Sequence, residues 1–146
     1  MKVSVDGRRT LEGLELLEAG VVQAIGLTMR AAVKDAEKAA RGTVLWKDRT
    51  GGTRETIKGE WRGIGAGGFV KAGGASAFLE NGTRAHVIRG NPILRFVVNG
   101  QVLFRRMVRH PGTKPRPFMR EARNIGELSV LFHAQAFLGA AIARSR

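Results

Sequence analysis

Apolar residues recur at three- and four-residue steps in two long stretches, one near each end of the chain. The first runs from about Leu11 to Arg41, and Gly42 follows it as a stop signal. The second begins near Ala122 and continues almost to the C-terminus. Such spacing places apolar side chains on one face of a helix. The pattern therefore predicts a long N-terminal helix and a C-terminal helix.

A period of two replaces this pattern in the segment "ILRFVVNGQVLFRRMV". Its two strand-like runs flank Asn99 and Gly100, the pair preferred in a type I′ hairpin turn. In the register set by that turn, two pairs lie on opposite faces of the hairpin: Phe96 with Leu103, and Val97 with Val102.

Both faces of this predicted hairpin are apolar. We expect Phe96 and Leu103 to pack on the chain's own helices. The opposite face, with Val97 and Phe104, then needs another cover, and a neighbouring copy is a plausible source. On this expectation Phe104→Ala costs a few kcal/mol where the site is buried.

Shorter elements fill the region between the first helix and this hairpin. Residues Glu55 to Ile64 and Phe69 to Lys71 resemble strands around a glycine turn, and residues 59–74 form a flexible glycine-rich arm in this interpretation. A short helix ends at Gly82, for which we predict a positive φ. Together the elements predict one α+β domain over residues 1–146. An antiparallel sheet of about four strands is packed by the long N-terminal helix and the C-terminal helix.

The proline-rich connector "VRHPGTKPRPFM" joins the hairpin to the last helix. Pro117 has the fixed φ of a first helical residue, and Phe118 and Met119 begin the apolar stripe as buried anchors. Four nearby cations cannot all be buried without partners. We expect these four to point outward and to meet acidic groups of an adjacent subunit: Arg109, Lys114, Arg116 and Arg120.

The net charge of +13 narrows the choice of partners. No acidic residue lies between Glu80 and Glu121, although nine lysines and arginines do. A solvated basic face is one explanation. Contact with nucleic acid, an acidic protein or an anionic membrane is favoured, because unbalanced like charges repel one another in a single domain. No run of eighteen apolar residues occurs, so no membrane span is predicted.

Catalytic and metal-binding patterns are not found in the sequence. The motif G-x-G-x-x-G at Gly63, Gly65 and Gly68 precedes no helix pattern and has no βαβ unit around it, so we interpret it as a hairpin turn. Cysteine is absent, which excludes thiolate metal sites. The histidines His86 and His110 flank the hairpin and are able to approach each other, but they lack metal-ligand spacing. No cofactor and no enzyme activity are predicted.

Three motifs, in this order behind a long helix, carry a family resemblance. "RTGGTRETI" has the spacing T-G-x-x-R-x-x-I and "ASAFLENGTR" has A-x-x-E-x-G-T. "HPGTKPRPFMREA" precedes the last helix. The chain resembles, from about Leu11 to Ala122, the small tail-component family of long-tailed bacteriophages, whose members are called neck, tail-completion or head–tail joining proteins. It departs from the family pattern at Thr53, where leucine is usual, and at Ser76, where an aromatic residue is usual.

The resemblance implies a virion structural protein without catalysis. It implies a homo-oligomeric ring at the top of the tail, with six subunits favoured over twelve. The ring contacts the tail tube protein and head-completion or tail-terminator proteins, and genomic DNA passes through its lumen. Assembly takes place in the host bacterial cytoplasm, with no membrane partner. A small basic cytoplasmic nucleic-acid-binding protein is the alternative, based on the charge.

Glu80 belongs to the second motif and Arg54 to the first. We expect Glu80 to pair with an arginine, either Arg54 or one from a neighbouring subunit. We also expect both Glu80 and Arg54 to lie in the interface between subunits. A solvated surface acid is the alternative for Glu80.

Overall fold

The computed structural model describes residues 7–48 and 51–144. Its elements in chain order are α1 (Gly7–Gly42), α2 (Gly52–Glu55), β1 (Lys58–Trp61), β2 (Gly68–Lys71), α3 (Ser76–Asn81), β3 (His86–Val98), β4 (Gln101–His110) and α4 (Phe118–Arg144). The predicted mixture of two long helices and four strands is confirmed. Thr50 of the first motif lies outside the described residues.

The two long helices pack side by side in opposite directions. Gly20 of α1 lies against Ala141 near the end of α4, and Ala36 lies against Gly126 nearer its start. The buried positions along this contact are mostly alanines: Ala24, Ala32, Ala36, Ala40, Ala122 and Ala141. Small side chains let the two helix backbones approach closely, and dispersion contacts accumulate along the whole contact.

A compact core lies where α1 ends and α4 begins. Ile57 and Phe118 are its largest fully buried side chains, at 0% and 1% exposure. Trp46 meets Phe118 edge to face, with ring centroids 5.4 Å apart. Edge-to-face geometry suits the charge distribution of aromatic rings and adds to the burial term. The prediction of a buried anchor is confirmed for Phe118, whereas Met119 is only partly buried against this core.

The glycine-rich segment forms the β1–β2 hairpin, which packs against α1. A Cβ atom on Gly59 or Gly68 would lie 2.7 Å and 2.5 Å from the methyl groups of Val33. The Gly59 N–H also donates to the Glu37 carboxylate at 3.0 Å. Glycine at these two positions therefore allows the close approach of the hairpin to the helix. Flexibility of residues 59–74 stays a prediction.

The expectation of a single four-stranded sheet is wrong. The strands form two separate antiparallel pairs, β1–β2 and β3–β4. Helix α3 and Gly82, with φ at +71°, lie between β2 and β3 and redirect the chain. Glu55 also differs from expectation, because it ends α2 instead of opening a strand. A short local helix there leaves β1 only four residues long.

Both long helices pass a length and composition test for membrane spans. Windows within Leu11–Gly42 and Phe118–Arg144 reach a mean hydropathy of 1.4. Neither helix contains an uninterrupted run of eighteen apolar residues, so no membrane span was predicted for them from the sequence. Core helices of soluble proteins pass the same test, so the signal is weak. Only 22% and 6% of the two windows are buried, however, so apolar helix surface remains exposed in a single chain.

Candidate functional site

The β3–β4 hairpin has the turn and register that the sequence predicted. Asn99 and Gly100 have φ values of +50° and +79°, as a type I′ turn requires at both central positions. Phe96 pairs with Leu103 and Val97 with Val102. The register shifts once, between Arg89 and Leu94, where a bulge interrupts the ladder.

Among the described residues neither face of this hairpin packs extensively on the long helices. Phe96 and Leu103 are partly buried, while Val97 and Phe104 are 59% and 57% exposed. The expectation that one face packs on the chain's own helices is therefore wrong. In the described part of the chain, α1 and α4 contact each other and α1 contacts β1–β2, whereas β3–β4 has no extensive contact with either helix. It projects as an arm, and we call it the β3–β4 arm.

The β3–β4 arm carries positive charge only. All of its charged side chains are arginines, and all are exposed: Arg89, Arg95, Arg105, Arg106 and Arg109. Among the described residues none of these arginines forms a salt bridge. The arm thus combines exposed apolar groups with guanidinium groups, which bind carboxylates and phosphates with fixed geometry.

The two histidines at the base of the arm meet, as the sequence suggested. His86 and His110 are register partners, and their ring centroids are 5.1 Å apart. The His86 Nδ1 lies 2.8 Å from the carbonyl oxygen of Arg84, and His110 Nδ1 accepts from the Gly112 N–H at 3.0 Å. Both rings are engaged in local backbone contacts. In the described chain no group of three potential metal ligands includes them.

A backbone bridge and two closely packed glycines fix the base of the arm. Thr83 and Thr113 exchange both backbone hydrogen bonds, at 3.0 and 3.1 Å. Gly82 has the positive φ that we predicted, and a Cβ atom there would lie 2.5 Å from the Thr113 oxygen. Gly112, with φ at +90°, is equally crowded by the backbone at Thr83. The second and third sequence motifs therefore meet at this one point.

Glu80 caps the C-terminal helix instead of pairing with Arg54, and its pairing with an arginine of a neighbouring subunit stays a prediction. Its carboxylate accepts the N–H of Met119 at 2.9 Å and the N–H of Arg120 at 3.2 Å. Pro117 directly precedes α4, and its carbonyl accepts the N–H of Glu121. The first N–H groups of a helix have no partner within the helix, and a carboxylate satisfies them while complementing the helix dipole. The predicted partnership with Arg54 is wrong for the single chain.

Arg54 acts at the other end of the core. Its guanidinium donates to the carbonyls of Arg41 and Thr43 and to that of Trp46, the latter two at 2.7 and 3.2 Å. It also stacks over the Trp46 ring, 4.5 Å from the centroid. The last carbonyls of a helix lack internal partners, and the five donors of arginine suit them. We expected Arg54 to lie in the interface between subunits, but in the single chain its guanidinium holds the end of α1.

The connector cations lie where the sequence placed them. Arg109, Lys114, Arg116 and Arg120 are all exposed, and none forms a salt bridge within the described residues. The connector backbone is fixed by the Thr83–Thr113 bridge and by the Arg116 N–H, which donates to the Leu79 carbonyl at 2.7 Å. Four cations are thus presented from a backbone that is held at both ends.

Sequence reasoning missed a polar cluster between the long helices. The Ser129 hydroxyl donates to Asp35 Oδ2, and His133 Nε2 lies 2.9 Å from the same oxygen. The Ser129 hydroxyl, followed by His133, lowers the pKa of the Asp35 carboxyl. A hydrolytic triad needs histidine between serine and aspartate, but here aspartate lies in the middle. The cluster joins α1 to α4 and provides no activated nucleophile.

The groove of about 430 Å³ between α1, β2 and α4 has the opposite character. Its lining is largely apolar, including Met29, Val33, Phe69, Met119 and Val130. The charged pair at the groove, Arg123 and Glu127, is satisfied internally at 2.8 Å. Beyond this pair the lining has no polar side chain to orient a ligand, whereas ligand-binding pockets usually contain such groups.

No family model matches the chain, and no curated protein or solved structure matches it.

Proposed function

We propose that this chain is a structural subunit of a bacteriophage neck. Copies form a ring at the top of the tail, which joins the tail tube to the head-completion proteins and leaves a channel for DNA. The proposal combines the resemblance of the three motifs with the surface of the folded chain. It places the protein in the virion, with assembly in the host cytoplasm.

The exposed β3–β4 arm is the observation that carries this proposal. Single soluble domains rarely leave a large contiguous apolar surface in water, and such surfaces usually mark sites of association. Here a 13-residue and a 10-residue strand carry exposed apolar side chains on both faces. A subunit that buries its arm only in an assembly accounts for this surface. Burial in an assembly also accounts for the large exposed apolar fraction of both long helices.

The junction beneath the arm suits the same role. Arg54, Glu80 and the Thr83–Thr113 bridge connect the end of α1, the start of α4 and the base of the arm to one core. A preorganised contact element loses little conformational entropy when it binds. Arg54, Glu80 and the two threonines thus support assembly by fixing the direction of the arm.

We further propose that the connector cations contact acidic groups of an adjacent ring. Charge reversal at Arg116 and Arg120 should then block the joining of heads to tails while the subunit stays folded, because both side chains are exposed. Reversal of the exposed Lys47 and Lys58 is the matched control. Infectious particles carrying the reversed connector would contradict this assignment.

One observation favours the nucleic-acid alternative. A two-stranded antiparallel ribbon fits the major groove of DNA, and the arm has arginines on both strands. Against it, the side chains beside the turn are Val97, Val98 and Val102, all exposed. Protein–DNA interfaces are more polar than protein–protein interfaces, so valines at the tip fit a protein surface better.

Solution mass separates these functions. The protein is freed of nucleic acid with nuclease and high salt, and its mass is then measured with and without duplex DNA. A ring subunit gives a defined oligomer without DNA. A nucleic-acid binder stays monomeric and binds DNA with an affinity that falls steeply as salt rises, because bound phosphates release counterions. Flotation of the chain with lipid vesicles, in place of either result, would assign its apolar helices to a membrane.

A further inference from the structure

We infer that the β3–β4 arm of one copy docks on the N-terminal half of α1 in a second copy. This inference rests on the proposed ring and names the contact that builds it. It follows from two surfaces of the same chain that are exposed, partly apolar and opposite in charge.

The first surface is one face of the arm. Cross-strand pairing and the alternation of side chains place Val97, Val102, Phe104 and Arg95 on the same face. Arg106, two residues beyond Phe104 along β4, continues that face. All five side chains are exposed. This face therefore presents three apolar groups and two arginines.

The second surface is one face of α1. Steps of three and four residues bring six positions to a single side of the helix, and all six are exposed: Leu11, Leu14, Glu15, Glu18, Val22 and Ile25. From residue 10 to residue 29 the chain has three glutamates and no lysine or arginine. Among the described residues the side chains of Glu15 and Glu18 form no salt bridge.

The two surfaces also agree in size. Leu11 to Ile25 spans about 21 Å at 1.5 Å per helical residue. The five register pairs from Leu94 to Val98 of β3 span about 14 Å at 3.4 Å per step, and Arg106 extends the face. Two arginines can meet two glutamates while valines and Phe104 cover Leu11, Leu14, Val22 and Ile25. Further along α1 the β1–β2 hairpin packs at Val33, so the helix is covered at that point.

A second copy is the occupant that these features favour. Among the described residues the arm of a chain makes no extensive contact with its own α1. Each copy carries both complementary surfaces, so every copy can accept one arm and donate another. Contacts between different patches of identical chains are heterologous, and they close into a ring when the rotation between copies allows it.

Charge reversal on each surface tests this contact. One variant carries Arg95→Glu with Arg106→Glu, and the other carries Glu15→Arg with Glu18→Arg. We expect each variant to associate about tenfold more weakly or worse than the parent, because close like charges replace attractive pairs. The matched control, Arg89→Glu with Arg105→Glu, reverses two exposed arginines on the opposite face of the arm. It should associate like the parent.

Complementation makes the test specific. An equimolar mixture of the two reversed variants should recover the parent mass, since each arm then meets an oppositely charged helix. A chain with all four reversals should recover it alone, which also shows that the substitutions permit folding. Parent-like assembly of both reversed variants would overturn this contact while leaving the ring intact. A monomeric parent that associates only on DNA would overturn the ring as well. Failure of both the mixture and the fourfold variant to recover the mass would overturn the docking.

Discussion

Removal of the Glu80 carboxylate should destabilise the folded subunit, because the contact between α3 and the start of α4 is lost. Glu80 lies on α3, yet its two oxygens accept the N–H groups of Met119 and Arg120 at the start of α4. Glu80→Ala leaves those donors without a protein partner. Glu80→Gln keeps one acceptor oxygen but loses the negative charge.

The size of the effect follows from the geometry. Loss of a side-chain cap at a helix start costs about 0.5–2 kcal/mol. Loss of a favourable charge near the helix dipole costs about 0.3–1 kcal/mol. Because Glu80 is half-buried, water replaces only part of what is lost. We expect about 2 kcal/mol for Glu80→Ala and about 1 kcal/mol for Glu80→Gln, and the larger loss lowers Tm by about 4–8 °C in a chain of this size.

Urea unfolding followed by far-ultraviolet circular dichroism measures these differences. Two protein concentrations are compared, since assembly stabilises the folded state by mass action. Glu121→Gln is the matched control, because Glu121 is an exposed acid in the first turn of α4 that caps no N–H group. The reasoning is refuted if both Glu80 variants unfold within about 0.5 kcal/mol of the Glu121→Gln chain, a spread typical of surface substitutions.

Three further predictions follow from burial and charge. Phe118→Ala should cost about 3–5 kcal/mol in the same urea assay, because the ring is fully buried; a loss under 1 kcal/mol would contradict that packing. Phe104→Ala should change monomer stability by less than about 1 kcal/mol, because the ring is 57% exposed, but it should weaken association measured by mass. Equal association of parent and variant would remove Phe104 from the contact. The pKa of Asp35 is lowered by Ser129 and His133, so its contribution to stability is full above the ordinary value of 3.8 and is lost as pH falls through the lowered value. Urea midpoints of Asp35→Asn and parent should therefore differ at pH 7 and converge in acid, and a constant difference would exclude this linkage.

Local signals predicted local structure well. The Asn99–Gly100 pair set the arm's turn and register, since only certain residues tolerate two successive positive φ values. Gly82 was predicted with a positive φ for the same reason. Phe118 was predicted to be buried from its place at the head of an apolar stripe. In each case the determining chemistry lies within a few residues of the position.

Contacts between distant segments were not predictable in the same way. Glu80 was assigned to an arginine because charge suggests a salt bridge, but its partners are backbone N–H groups 39 and 40 residues away. The Asp35 cluster joins residues more than 90 positions apart, and no periodicity marks it. The separation of the Phe96 and Leu103 face from the chain's own helices also escaped prediction. An apolar alternation shows that a face needs cover without showing whether the same chain supplies it.

Negative-stain electron microscopy of the purified, nucleic-acid-free protein tests the central claim most directly. The account predicts ring-shaped particles of uniform diameter with an open centre, in the absence of DNA and of any other protein. Isolated monomers at all concentrations, or particles that form only when DNA is added, would contradict it.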